Sequence, residues 1–376
     1  MLRYSTSGES HGICLIAVLE GMVAGLKLDP AAIDHDLWRR QQGYGRGGRM
    51  LIETDRAELL TGIRQNETIG GPIAVRIENK DFKINQLPAV QRPRPGHADL
   101  IGAVKYNRRD VRDILERASA RETTSRVAVG AICRQFLGQF GVRIVSHVTD
   151  VGGVKVEDPS KFSFDQILDR AEKSPVRCVD PAVGEQMIRR IDEIKVAKDT
   201  VGGVFEVRVK GLPPGLGSFA TSEDRLDARL AAALVSIQAV KGVEFGLGFG
   251  MAHTPGSLAH DEIFYEEKGR KFFRKTNRAG GLEGSMTTGE ELAVRAVARP
   301  YATLMKPLAS TNIATKAAEV GTIERSDVTA VPACGVVGEA MTAFELAKVF
   351  LEKFGGDSLT ETRRNYDGYL KQVEAF

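Results

Sequence analysis

Apolar positions along the chain recur with two periods, and each period predicts its own elements. A helix is expected from Asp29, with an acidic N-cap, Pro30 at the first helical position, Ile33 and Leu37 on one face, and Gly43 at the stop. Val127, Ala128, Ala131, Ile132 and Phe136 form a second helical stripe that closes near Gly138. Leu226, Leu230, Ala233, Leu234 and Ile237 form a third. A fourth runs from about Glu339 to Lys353 through Ala340, Phe344, Ala347 and Leu351. Alternation of period two marks residues 205–210 as a strand with Phe205, Val207 and Val209 on one face. Residues 142–148 are short and β-branched, and "RYSTS" and "ICLIAVLEGM" near the start read as two more strands. Helices and strands mix without a regular βαβ beat, which predicts α+β layers rather than a doubly wound parallel sheet. No linker rich in Pro or Ser interrupts the 376 residues, so one large domain is expected.

Composition narrows the class. Lys plus Arg total 52 against 49 Asp plus Glu, and this mild +3 balance does not point to a nucleic-acid binder. No apolar run approaches ~18 residues, which argues against a membrane-spanning helix. The opening residues lack a signal-peptide pattern, so a cytoplasmic location is expected. Cys14, Cys133, Cys178 and Cys334 are far apart, as expected of free thiols rather than a disulfide frame or a zinc site. No histidine pair has H-x-x-x-H spacing, so no metal site is expected. Glycines cluster in "GYGRGGR", "FGLGFG" and "AGGLEG", where backbone can approach a ligand closely. "VGGV" occurs at both Val151 and Val201, a hint of structural echo too short to define a repeat.

The distribution of arginine says more than its total. Arg39, Arg40, Arg46 and Arg49 flank the glycine-rich turn after the first helix, and the guanidinium fork suits carboxylate and phosphate bidentately. A ligand with several anionic groups is the inference, and an RNA backbone is the competing one. Arg108, Arg109 and Arg112 read as a solvated helix face. "SARE" at 119–122 has the capping-box pattern, and a helix N-terminus there could also receive an anion. "KPLAS" at 306–310 joins a cation, a proline and a hydroxyl, a weak phosphate signal. "RSDVTAVPA" at 325–333 reads as an Arg325–Asp327 pair before a strand.

Two histidines, His11 and His97, lie in glycine-flanked turns beside Glu9 and Asp99. His35 is expected to be solvated on its helix, and His147 falls within a strand. Gly8-Glu-Ser-His-Gly12 fits G-x-S-x-G, the nucleophile elbow of serine hydrolases. The elbow requires strand, sharp turn and helix, whereas the residues after Ser10 read as strand, so the hydrolase reading is disfavoured.

Together "SGESHG", "RRQQGYGRGGRM", "RPGHAD", "RASARETTSRVAVGA", "IQAVKGVEFG", "NRAGGLEG", "KPLAST" and "RSDVTAVPA" resemble the chorismate synthase family, in that family's order, from residue 4 to about 345. The resemblance implies a layer of helices sandwiched between antiparallel β-sheets, a C-terminal tail of about 355–376 at the periphery, and a homotetramer. It implies a carbon–oxygen lyase acting on phosphates. Such an enzyme makes chorismate from 5-enolpyruvylshikimate 3-phosphate by 1,4-anti elimination, the last step of the shikimate pathway, with reduced FMN and no net redox change. It leaves open whether the chain reduces its flavin with NADPH or relies on an external reductant. By motif match, His11 protonates the departing phosphate, His97 acts on the reduced flavin, and Asp327 relays the proton from flavin N5. Arg40, Arg46 and Arg49 match positions contacting substrate or NADP. FMN contacts are implied for Arg117, Ala118, Ser119, Gln238, Ala239, Gly284, Lys306, Pro307, Leu308, Ala309, Ser310 and Arg325. The chain departs from the family pattern at Gly284-Ser285, at Leu308 and Ala309, and at Glu116 and Ala118.

Overall fold

A computed structural model describes residues 1–47, 53–267, 269, 271–324 and 327–376. Two antiparallel sheets enclose a layer of helices, the α+β arrangement expected. The first sheet orders Arg3–Ser7, Cys14–Glu20, Ile73–Glu78 and Glu58–Leu59. The second orders Val240–Phe245, Leu292–Ala298, Gly203–Lys210, Arg143–Val151 and Val154–Lys155. Between them, the helix Thr123–Gly138 packs on the first sheet, the helix Val331–Phe354 packs on the second, and the two helices pack on each other. Leu15, Ala17 and Leu19 of one strand and Ile73, Val75 and Ile77 of its neighbour are buried on the face that meets the helices. One cluster of buried apolar side chains runs through all these layers, from Leu2 to Tyr366.

The second sheet departs from the simple alternation expected of it. Phe205, Val207 and Val209 face the core, but Glu206 and Arg208 on the opposite face are buried too. That face is covered by the segment carrying the helix Phe164–Arg170, whose Phe164 and Ile167 pack on Val145. Buried charges need partners. Glu206 takes His147 Nε2 at 2.9 Å and Arg208 Nε at 2.8 Å. The two VGGV stretches prove to be neighbours: Val151 is the register partner of Gly203, and the Gly152 N–H donates to Gly202 O at 3.0 Å.

The helix Pro30–Gln41 forms as expected, with Asp29 Oδ1 accepting from the Ala31 N–H at 2.9 Å. The long helix differs, starting at Val331 rather than near Glu339, and it replaces the strand expected after Arg325. Pro332 lies in its first turn, where the missing N–H costs nothing. Sandwiched between layers, it is buried on nearly every side and carries no amphipathic signature.

An ionic knot sits within this layer. Glu339, fully buried, accepts from Arg39 Nη1 and Nη2, each at 2.8 Å, and from Arg134 at 3.1 Å. Arg177 at 3.2 Å and the Ser146 hydroxyl at 2.6 Å complete the set. The final helix, Leu359–Ala375, is largely exposed but inserts Tyr366 among the rings of Phe140, Phe350 and Phe354. Among the described residues no helix is long and apolar enough to cross a membrane.

Candidate active site

The turn joining the first two strands presents Ser10 and His11. Gly8 adopts φ +107°, and a Cβ there would lie 2.5 Å from Cys14 O, so the turn requires glycine. Strand follows turn with no helix, and Ser10 is buried, with its N–H donating to Glu116 O. The nucleophile-elbow geometry is therefore absent. Asn79 Nδ2 donates to Glu9 O at 3.1 Å and Gly12 O at 2.8 Å, and the N–H groups of Lys83 and Ile84 donate to His11 O. The turn is braced from several sides.

Glu116 reaches His11 from the helix Arg112–Ala118. Its Oε1 and Oε2 lie 3.0 and 3.1 Å from His11 Nδ1, and Oε2 also accepts the His11 N–H at 2.8 Å. His11 Nε2 lies 3.7 Å from Asp81. Burial raises the Glu116 carboxyl, but hydrogen bonds from His11 and Arg112 outweigh it and hold the group below the usual carboxylate range. Arg112, expected on a solvated face, is buried, and donates to Glu116, Pro88 O and Glu324.

Arg121 connects this turn to the first arginine cluster. It donates to Asn79 Oδ1 at 2.9 Å and to both oxygens of Asp55 at 2.7 and 2.8 Å. Arg40 lies on the other side of Asp55 and donates to Thr123 Oγ1 and Ala120 O. Its Nη1 is buried with no hydrogen-bond partner among the described residues. Burial first, then the nearby Arg121 and Arg46 charges, push the Arg40 guanidinium down to about 10 against the pull of Asp55. Arg46 pairs with Asp327 at 3.1 Å, and Asp327 also accepts the Gly47 N–H at 2.6 Å and faces the Tyr301 hydroxyl at 3.5 Å. Among the described residues Asp327 thus serves Arg46; the Arg325 partner expected from the sequence lies outside them. Arg49 and Arg325 lie outside the described residues.

His97 sits 2.5 Å from Asp99 Oδ1, and Arg94 grips the same carboxylate through its backbone N–H, Nε and Nη2. Burial opposes ionisation of Asp99, but His97 and Arg94 hold it well below the carboxylate range. The 306–310 stretch is tied to this turn, since the Ser310 hydroxyl donates to Pro93 O at 2.5 Å. Ala309 and Ser310 begin a short antiparallel pair with Ala318–Val320, while Lys306 and Leu308 are exposed and Pro307 is half-buried.

On the other side of the first turn, Arg117 donates to Thr6 O and Gly8 O, with Ala118 and Ser119 following it. Ser119 does not close a capping box. Its Oγ takes the Arg121 N–H and meets Ser10 Oγ at 3.2 Å, while Glu122 turns to Thr6, Arg126 and Gln238. Thr6, Arg117, Glu122, Arg126 and Gln238 line a cavity of about 390 Å³. Gln238 Oε1 is buried with no hydrogen-bond partner among the described residues. Ala239 follows with φ +75°, its carbonyl accepting from Arg299. Gly284 and Ser285 form a two-residue hairpin turn, both at positive φ, whose contacts run to Leu226 and Asp227 rather than to His11. Asn79, Asp55, Asp81 and Tyr301 were not singled out in the sequence. Only Tyr301, five residues before "KPLAS", had a motif beside it.

A helical layer between antiparallel sheets holds histidines and carboxylates among buried guanidiniums, a site suited in charge to anionic ligands. The family model described as chorismate synthase matches residues 2–351, and the chain belongs to the chorismate synthase family. It is 51% identical to chorismate synthase of Solibacter usitatus over all of both chains. It is 52% identical to that of Geobacter metallireducens, again over all of both. A crystal structure of chorismate synthase matches with TM-score 0.84 at 42% identity, covering 100% of this chain and 99% of that one. The protein is accordingly a lyase of aromatic amino acid biosynthesis.

Proposed function

We propose that the protein converts 5-enolpyruvylshikimate 3-phosphate to chorismate by 1,4-anti elimination of phosphate, with reduced FMN. The observation that carries this reading is the tie of the His11 turn to Arg40 through Asn79, Arg121 and Asp55, with the Arg46–Asp327 pair close enough for the Arg46 charge to act on Arg40. It gathers an imidazole, carboxylates and guanidinium charge into one bonded region, as a substrate with two carboxylates and a phosphate requires.

The residues present fit a flavin phosphate and ring. Gln238 Oε1 and Arg40 Nη1 are buried polar atoms without hydrogen-bond partners among the described residues, and Arg117 and Arg126 bring positive charge to the cavity beside Gln238. FMN would be held by Arg117, Ala118, Ser119, Gln238, Ala239, Gly284, residues 306–310 and Arg325. When bound, reduced FMN supplies electron density transiently to the reacting substrate, with no net redox change.

The chain's own residues do the rest. His11 Nε2 gives a proton to the leaving phosphate oxygen. Asp327 takes up a proton at its carboxylate, which the Arg46 guanidinium holds in place at 3.1 Å. His97 holds a proton beside the flavin, oriented by Asp99. Arg40, Arg46 and Arg49 bind the anionic groups of substrate or NADP. We read the chain as one domain, residues 355–376 peripheral, assembled as a cytoplasmic homotetramer whose flavin is reduced by NADPH or by an external reductant.

The test is turnover under anaerobic conditions with dithionite-reduced FMN and 5-enolpyruvylshikimate 3-phosphate, followed by the ultraviolet absorbance of chorismate. Absence of product where an authentic enzyme is active would refute the reading.

A further inference from the structure

We infer that Glu116 is a positioning residue for the elimination, fixing which nitrogen of His11 faces the substrate. The inference rests on the role proposed for His11. Both carboxylate oxygens lie within 3.1 Å of Nδ1, and Oε2 also takes the backbone N–H of the same residue at 2.8 Å. An ionised carboxylate can only accept, so Nδ1 must carry a hydrogen. Nε2 then becomes the nitrogen through which a proton is exchanged. Holding ring and backbone with one side chain also fixes the direction in which the ring points.

Glu116 is itself held in place. Its side chain is 2% exposed, and Arg112, one turn earlier on the same helix, donates to Oε1 at 3.3 Å. Arg112 is anchored in turn by Pro88 O at 2.8 Å and Glu324 at 3.2 Å. Among the described residues, the other charged groups facing His11 are Asp81, 3.7 Å from Nε2, and Lys83, which pairs with Asp81 at 2.7 Å. The nearest carboxylates thus sit on opposite sides of the imidazole, with Glu116 in hydrogen-bond contact and Asp81 beyond it. Because Glu116 acts through His11, its removal is expected to fall on turnover rather than on binding.

The experiment compares wild type, E116G, E116Q, H11Q and the H11Q/E116G double variant. Long-range ¹⁵N–¹H spectra of the ¹⁵N-histidine-labelled protein at mildly alkaline pH identify the His11 ring, since its signals vanish in H11Q. The Nδ1–H pattern is expected in wild type and its loss in E116G. E116G should lower kcat by about 10-fold or more with KM within about twofold, and E116Q, which retains an acceptor oxygen, by less. The double variant should be no slower than H11Q. An unchanged His11 nitrogen pattern in E116G overturns the proposal whatever the rates. A changed pattern with wild-type kcat overturns it as well, since positioning would then not matter to turnover. Wild-type turnover in H11Q would sink the reading of His11 itself, and this inference with it. Should E116G fail to fold, E116L, of similar volume and with no acceptor oxygen, gives the same comparison.

Discussion

Gly130 and Ala340 meet where the two central helices cross. A Cβ built on Gly130 would lie 2.3 Å from Ala340 Cβ, 2.4 Å from its Cα and 2.6 Å from its carbonyl oxygen. Backbone atoms cannot rotate aside, so the separation of the two helices is set by the missing side chain. Gly130→Ala gains about 1 kcal/mol in helix propensity. Forcing the helices apart in a packed interior costs more, and the net expectation is a loss of about 1–3 kcal/mol, read as a lower urea midpoint at unchanged slope. A variant as stable as wild type would show that the helices can separate freely.

The Glu339 knot makes a pH prediction. Burial raises its carboxyl, but Arg39 first, then Arg134 and Arg177, bring it down to about 2 from 4.5. A carboxyl depressed in the folded state contributes stability that is present above its unfolded value and is lost as pH falls toward the folded one. Stability should therefore drop between about pH 4.5 and 2, by roughly 3 kcal/mol from this group. E339Q should be less stable by about 3–5 kcal/mol at neutral pH, because its guanidiniums lose their fully buried counter-charge and keep only Asp36 and Glu172, and its acid slope should be shallower. Some slope should persist, since Glu206 is also depressed to about 2 by His147 and Arg208 against its burial. Denaturant titrations at several pH values measure both effects.

His11→Ala and Asp327→Ala should each lower turnover by roughly 10- to 10³-fold. Steady-state rates under the anaerobic assay give the answer, and near-wild-type rates in both would remove them from the chemistry. Ser10 should resist a fluorophosphonate probe, because no elbow presents it and its hydroxyl already meets Ser119.

The four thiols should differ in reactivity. Burial pushes Cys178 and Cys334 up to about 11 and Cys133 higher still, so at neutral pH they hold little thiolate. Cys14 is only half-buried. Titration with a maleimide on the native protein should label Cys14 first, the others following only on unfolding, as mapped by mass spectrometry.

How much of this was legible in the sequence varied with the locality of the interactions. The helix Pro30–Gln41 was readable because its N-cap, its proline and its apolar stripe are all local. The start of the helix Val331–Phe354 was not, because burial on every side erases the 3.6-residue contrast and β-branched Val336 and Val337 resemble a strand. Ser119 looked like a capping box, but Glu122 found stronger partners in Arg126, one turn further on, and in Thr6 of the first strand. At the site, glycines around His11 pointed to a shaped turn. What braces that turn did not show: Asn79 and Asp55 sit in unremarkable stretches and become neighbours of Arg121 only when the first sheet meets the helical layer. Glu116 stood out only as a departure from a pattern, with no sign of the histidine it would meet.

The knot around Glu339 also acts on assembly. Sliding the long helix by one turn along its axis moves Glu339 by about 5.4 Å, beyond hydrogen-bond reach of Arg39, Arg134 and Arg177 at once. The apolar residues of that helix could accept such a slip, because nearly every side of it is greasy. The guanidiniums could not, as three cations from three separate segments would lose the one carboxylate they share and be left with only Asp36 and Glu172 between them. A helix with almost no polar face therefore has a single permitted depth of insertion, set by one carboxylate.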